Sequence, residues 1–192
     1  MSSLWNARWR QRSAISAASL GGTPSSIARM TDRMPATATE TQYANAVVAL
    51  ERIGQLQSAL TAYTTMLKRW PSSLSAMMGR GNAAYALKDL ATAEAAFRDA
   101  AKAHPDSAAS LNNLASVLAE RGNLAEALAA AERAVALGGP LLKQTTETLA
   151  EIREKADAAA RDLAERQAAE QAAAEAARAA AAEAAARAKP SP

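Results

Sequence analysis

A period of 34 residues constrains this chain more than any other feature. Pro71 and Pro105 stand 34 apart, and Gly139-Pro140 arrives one period later. Whole columns align at the same offset: Ala59, Ala93 and Ala127; Tyr63, Phe97 and Ala131; Met66, Ala100 and Ala134. Leu56, Leu90 and Leu124 open the second half of each unit. Tyr43, Met77 and Leu111, then Leu50, Ala84 and Leu118, mark the first half. Because prolines, leucines and aromatics match, the period is not a by-product of the 55 alanines among the 192 residues. A repeat of this length implies one supersecondary unit stacked on copies of itself.

Each unit reads as two helices: 40–53 with 56–69, 74–87 with 90–103, and 108–121 with 124–137. Gly54 and Gly122 fall in the turn within a pair, where the middle unit has Lys88. Pro71-Ser72-Ser73 and Pro105-Asp106-Ser107 stop one helix and cap the next. Capping boxes are expected at Thr37/Glu40 for the first helix and at Asn123/Glu126 for the last. Alanine is the best helix former and a poor core filler, so the expected architecture is all-α with close helix packing.

These columns resemble the tetratricopeptide repeat (TPR) family over residues 40–141. The most specific stretches run from Gly81-Asn82-Ala83-Ala84-Tyr85 through Phe97, Ala100 and Pro105, and from Leu111-Asn112-Asn113-Leu114-Ala115 through Gly139. The resemblance implies an α-solenoid of three helix pairs, 40–73, 74–107 and 108–141. Arg80 departs from it, standing in the column where Ala46 and Leu114 are apolar. Its stem can pack while its head reaches water, or the middle unit is locally loosened. A last repeat leaves an apolar face open. Leu141, Thr145, Leu149 and Ile152 supply a stripe to cover it, so residues 142–155 are the expected capping helix. Residues 156–192 form an alanine-rich tail with Leu163 as its large apolar side chain. Acid-first pairs such as Asp157–Arg161 and Asp162–Arg166 support a helix there. It lacks the repeated Leu, Ile or Val of a coiled-coil seam. It reads as a semi-rigid spacer or as a frayed end without a task.

The resemblance also implies function. In the family, the first helix of each unit lines a concave groove that holds a peptide. The corresponding columns here are Thr41/Ser75/Ala109, Ala44/Met78/Asn112, Val48/Asn82/Ser116, Glu51/Tyr85/Ala119 and Arg52/Ala86/Glu120. Their usable chemistry is Met78, Asn82, Tyr85, Asn112 and Ser116. Amides donate and accept, so Asn82 and Asn112 suit a peptide backbone. Tyr85 offers an apolar face with a polar tip. Equally, the asparagines can serve contacts between helices. The family's co-chaperones grip acidic chaperone tails with two lysines, two asparagines and an arginine. Ala44, Val48, Gly79, Ala109 and Asn113 stand at those positions, so a neutral or mildly apolar segment fits better. The expected function is a non-catalytic protein-interaction scaffold without cofactor or metal. The alternative is a fragment or relative of a larger enzyme, since the repeats loosely resemble the TPR region attached to some bacterial papain-like cysteine peptidases. Without a cysteine, this chain cannot run that chemistry itself.

Other signals carry less. Gly79-Arg80-Gly81-Asn82-Ala83-Ala84 spells the dinucleotide fingerprint, but that motif needs a preceding strand and a glycine turn, and here it falls inside a helix. His104 sits at a helix end with no serine and carboxylate around it. Glu147, Glu151 and Glu154 read as a solvated face. Residues 1–39 hold five arginines and one acid, leaving 17 basic and 18 acidic residues for the remainder. The chain's basic balance therefore belongs to this Ser/Arg-rich arm and says nothing about the groove. The arm reads as disordered or as an over-long start. Any nucleic-acid or membrane-surface contact would run through it. No long apolar run, secretory centre or lipobox occurs, leaving the cytoplasm as the default compartment.

Overall fold

A computed structural model describes residues 37–187; most of the arginine-rich arm and the last five residues lie outside them. Seven α-helices follow one another with no strand among the described residues. They are α1 (Glu40–Arg52), α2 (Leu56–Arg69), α3 (Leu74–Ala86), α4 (Leu90–Ala103), α5 (Ala108–Glu120), α6 (Leu124–Ala136) and α7 (Leu142–Arg187). A single 3-10 turn, Gly139–Leu141, separates α6 from α7. Each helix packs chiefly on its neighbours in the chain, with lesser contacts that skip one helix, such as α1 on α3 and α5 on α7. This is an α-solenoid of three helix pairs closed by a seventh helix.

Local chemistry sets the boundaries. Ser73 and Ser107 cap α3 and α5, accepting from Ala76 N–H at 3.2 Å and Ser110 N–H at 3.2 Å. Asp89 caps α4, accepting from Thr92 N–H at 3.0 Å. The turns within the pairs pass through the left-handed region at Gly54 (φ 77°), Lys88 (φ 64°) and Gly122 (φ 83°). Lys88 therefore holds a backbone that favours glycine.

Two expected capping boxes are corrected. Thr39, not Thr37, caps α1, and Gln42 rather than Glu40 reaches back to Thr39 N–H at 3.0 Å. Glu40 is the first helical residue, so it lies too early to close the box. It instead accepts from the Ser73 hydroxyl at 2.5 Å, which ties the first unit to the second. Asn123 makes no side-chain cap, and its expected partner Glu126 pairs with Arg98 of α4.

The repeated columns form the core. Ala59, Ala93 and Ala127 are wholly buried, as are Met66, Ala100 and Ala134, and Tyr63 and Phe97 fill the grooves beside them. A Cβ added at Gly79 would overlap the Tyr63 ring, and one at Gly81 the Phe97 ring. The Gly79-Arg80-Gly81 run thus lets α3 accept one ring from the preceding unit and one from its own. That packing explains the letters of the nucleotide motif without a nucleotide. Thr145, Leu149 and Ile152 are buried against the third pair, and Leu141 is half-buried. The same helix then continues, with every residue from 157 to 184 exposed and Leu163 at 57%. Its 46 residues span about 69 Å at ~1.5 Å per residue. The anticipated Asp157–Arg161 and Asp162–Arg166 pairs do not close into salt bridges, whereas Lys143–Glu147 stands at 4.0 Å. Fully solvated pairs gain too little to hold one geometry.

Candidate peptide groove

The first helices α1, α3 and α5 carry the groove columns, and the structure sorts the five expected residues by depth. Met78 is half-buried, and its Sδ accepts from the Ser110 hydroxyl at 3.4 Å. Asn82 is half-buried, and its Oδ1 accepts from Asn113 Nδ2 at 3.3 Å. Ser116, also half-buried, donates back to the Asn112 carbonyl at 3.1 Å. Asn112 is only 2% exposed, and its side-chain Oδ1 has no hydrogen-bond partner. Tyr85 is 8% exposed. The structure therefore brings Met78, Asn82 and Ser116 to the accessible side and sets Asn112 and Tyr85 beneath it. Helix stacking, invisible in a single column of letters, decides that depth.

Tyr85 belongs to a small electrostatic network. Its hydroxyl donates to Glu120 of α5, and the Lys88 ammonium lies 5.4 Å from its ring centroid. Lys88 also donates to Glu120 at 3.2 Å. Burial, then the Glu120 carboxylate, pushes the phenol above its usual range. Burial would raise Glu120, but hydrogen bonds from Tyr85 and Lys88 and the charges of Lys88 and Lys155 outweigh it and hold it low. This network joins the ends of α3 and α5.

The structure also singles out Glu51, in the same column as Tyr85. Burial raises it to about 7, partly offset by a hydrogen bond from Tyr63. The phenol of Tyr63 is pushed up in turn by burial and by the charge of Glu51. The column marks Glu51 as groove-facing, but its partner sits on the other helix of the pair, twelve residues away. No short motif links the two.

The remaining expected features are placed as follows. His104 closes α4 and lies with Nε2 2.8 Å from the Ser72 carbonyl, bridging successive interunit loops. Glu147, Glu151 and Glu154 are exposed on α7. Among the described residues, no group of three or more His, Cys, Asp or Glu side chains could hold a metal ion. No helix among them is long and apolar enough to cross a membrane.

Stacked helix pairs of this kind define a helical repeat protein. The chain belongs to the tetratricopeptide repeat family, whose model matches residues 45–102 and 89–140. Among solved structures, it is similar to the TPR2B domain of yeast Sti1 in its pHsp70 complex. That likeness has 18% identity and a TM-score of 0.57, covering 62% of this chain and 99% of that one. It is similar to the Yersinia enterocolitica type III secretion chaperone SycD in complex with a peptide of the translocator YopD, at 17% identity and TM-score 0.57, covering 63% and 98%. The Sgt2 TPR domain of Aspergillus fumigatus gives 18% identity and TM-score 0.58, covering 67% and 86%. At these identities the likeness is one of fold. No curated protein matches the chain in sequence.

Proposed function

We propose that this chain is a non-catalytic scaffold that holds an extended, neutral or mildly apolar segment of a partner protein along α1, α3 and α5. Met78, Asn82 and Ser116 would meet the segment directly, with Asn112 and Tyr85 shaping the surface beneath. The observation that carries this reading is the Asn112 Oδ1 atom, buried and without a donor. An unsatisfied buried acceptor costs about 1–3 kcal/mol, and a peptide N–H entering beside Ser116 would relieve it. The Asn82–Asn113 pair is a second amide contact that can rearrange to receive a backbone. The pHsp70 complex of Sti1 and the peptide complex of SycD support the mode of use. The partner's chemistry would differ from an acidic tail, because none of the five clamp positions, Ala44, Val48, Gly79, Ala109 and Asn113, carries a cation.

The test is a pull-down with quantitative mass spectrometry, comparing the natural chain with Asn82→Arg and with Ser116→Arg. Both positions are half-buried and accept a long side chain that projects outward, so the fold should survive while the groove is blocked. Partners that bind the groove should drop at least about tenfold, equivalent to ~1.4 kcal/mol. If every partner is retained by both variants, groove binding is wrong.

A further inference from the structure

On the opposite side of α3 from the groove lies a cleft of about 490 Å³, lined by Leu67 and Pro71 from the first unit, Met77 and Arg80 of α3, and Asp99 and Lys102 of α4. Arg80 is two residues from both Met78 and Asn82, roughly 160° around the helix from each. The cleft is therefore separate from the proposed groove, and its test does not depend on that reading.

Arg80 is the unusual residue. The equivalent positions of the first and third units are Ala46 and Leu114, both buried and apolar, so the repeat folds without a cation there. Its Nε is buried and has no hydrogen-bond partner, and Arg80 forms no salt bridge with any described residue. Asp89 feels its charge only as a minor influence and is already committed to capping α4. Asp99 and Lys102, one helical turn apart on the cleft wall, also lack salt bridges. A guanidinium presents its Nε and Nη donors as a planar fork that matches an oxyanion in bidentate geometry.

We propose that this cleft binds a carboxylate carried on a short apolar stem. Arg80 and Lys102 supply two positive charges and Asp99 removes one. The remaining single charge matches a monocarboxylate and falls short of a phosphate dianion. The carboxylate would pair with the Arg80 guanidinium, while the stem lies against Leu67, Pro71 and Met77. The same chemistry has two sources: a free short-chain acid, or the terminal carboxylate of a protein ending in an apolar residue.

NMR titration of the full chain tests this, because the Arg80 Nε–H resonance reports the contact itself. The probes are hexanoate for the free acid, acetyl-Ala-Ala-Leu with a free carboxylate for a protein terminus, and hexanamide as a neutral control. At least one acid should shift the Arg80 Nε–H saturably, and hexanamide should not. Preference for hexanoate assigns the free acid, and preference for the peptide assigns a protein terminus. Arg80→Leu installs the residue that the third unit already carries, so it should fold. In that variant the Leu67 and Met77 methyl shifts should weaken at least about tenfold. A second variant, Lys102→Gln, should reduce affinity by a smaller factor. The proposal is overturned if neither acid moves the Arg80 resonance, if hexanamide binds as well as hexanoate, or if Arg80→Leu binds the acids unchanged.

Discussion

At the scale of single residues, two positions combine local chemistry with packing from a distant helix. Gly79 is mid-helix, where alanine would ordinarily gain up to ~1 kcal/mol in helix propensity. The buried Tyr63 ring occupies the space its methyl would need, and overpacking a filled core costs about 1–3 kcal/mol. Gly79→Ala should therefore destabilise despite the propensity gain, by ~1–2 kcal/mol in urea unfolding. A variant as stable as the natural chain would show that the ring moves freely. Glu51 makes a prediction about pH. Its native pKa of about 7 exceeds the ordinary 4.5, so folding favours its protonated form. Its contribution to stability is complete below 4.5 and is lost as pH rises through 7. Glu94, Glu120 and Glu126 are lowered instead, so their contributions fade only on acidification below that window. Melting temperature should thus fall between pH 5 and pH 8, steepest at about 6, midway between the unfolded and folded pKa values. Glu51→Gln, which can still accept from Tyr63, should flatten that slope and raise stability at pH 8.

At the scale of elements, the helix boundaries were largely legible because their signals are local: Pro71 and Pro105 after one helix, Ser73 and Ser107 before the next, Gly54 and Gly122 in the turns. The cap at Thr39 was missed by two residues because threonines stand at both 37 and 39, and only the position of the first helical turn decides between them. The site was less legible. Its columns follow from helical spacing, but the burial of Asn112, the Glu51–Tyr63 bond and the lone Arg80 Nε each depend on how separate helices meet. The C-terminal helix illustrates both sides. Its stripe at Thr145, Leu149 and Ile152 is buried, while nothing from 157 to 184 is. Ile152→Ala should accordingly cost about 2–4 kcal/mol. Truncation after Ala156 should remove helical circular-dichroism signal while leaving the melting temperature within ~2 °C, since exposed residues away from packing contribute little. A large drop on truncation would mean that the exposed helix is held by a contact, such as one with a second copy.

At the scale of the whole molecule, stability should be uneven along the solenoid, because the core has two centres. One gathers Tyr43, Val47, Leu50, Ala62, Tyr63 and Met66 of the first pair with Ala76 of α3. The other runs from Ala84 and Phe97 through Leu118 to Leu149 and Ile152 of α7. They meet at α3, where the Tyr63 ring rests over Gly79. The second and third pairs are joined further by Glu94–Arg121, Arg98–Glu126 and Lys88–Glu120, the first two sharing one carboxylate-centred network through Arg98–Glu94. Between the first and second pairs, side-chain hydrogen bonds run from Ser73 to Glu40 and between His104 and the Ser72 carbonyl. Each exposed ion pair contributes only about 0–1 kcal/mol, but a network holding the half-buried Glu94 exceeds isolated pairs. In a linear array, stability is approximately a sum over units and their interfaces, so the first pair, whose helices pack least on each other and which among the described helices has a neighbour on one side, opens first. Hydrogen exchange should therefore find α1 and α2 opening at lower free energy than α3 to α6. Gly79→Ala provides the control: by wedging the interface it should accelerate exchange in α1 and α2 while changing α5 and α6 little. If all six helices exchange together and the variant speeds them equally, the solenoid unfolds as one unit and the two-centre description of its core fails.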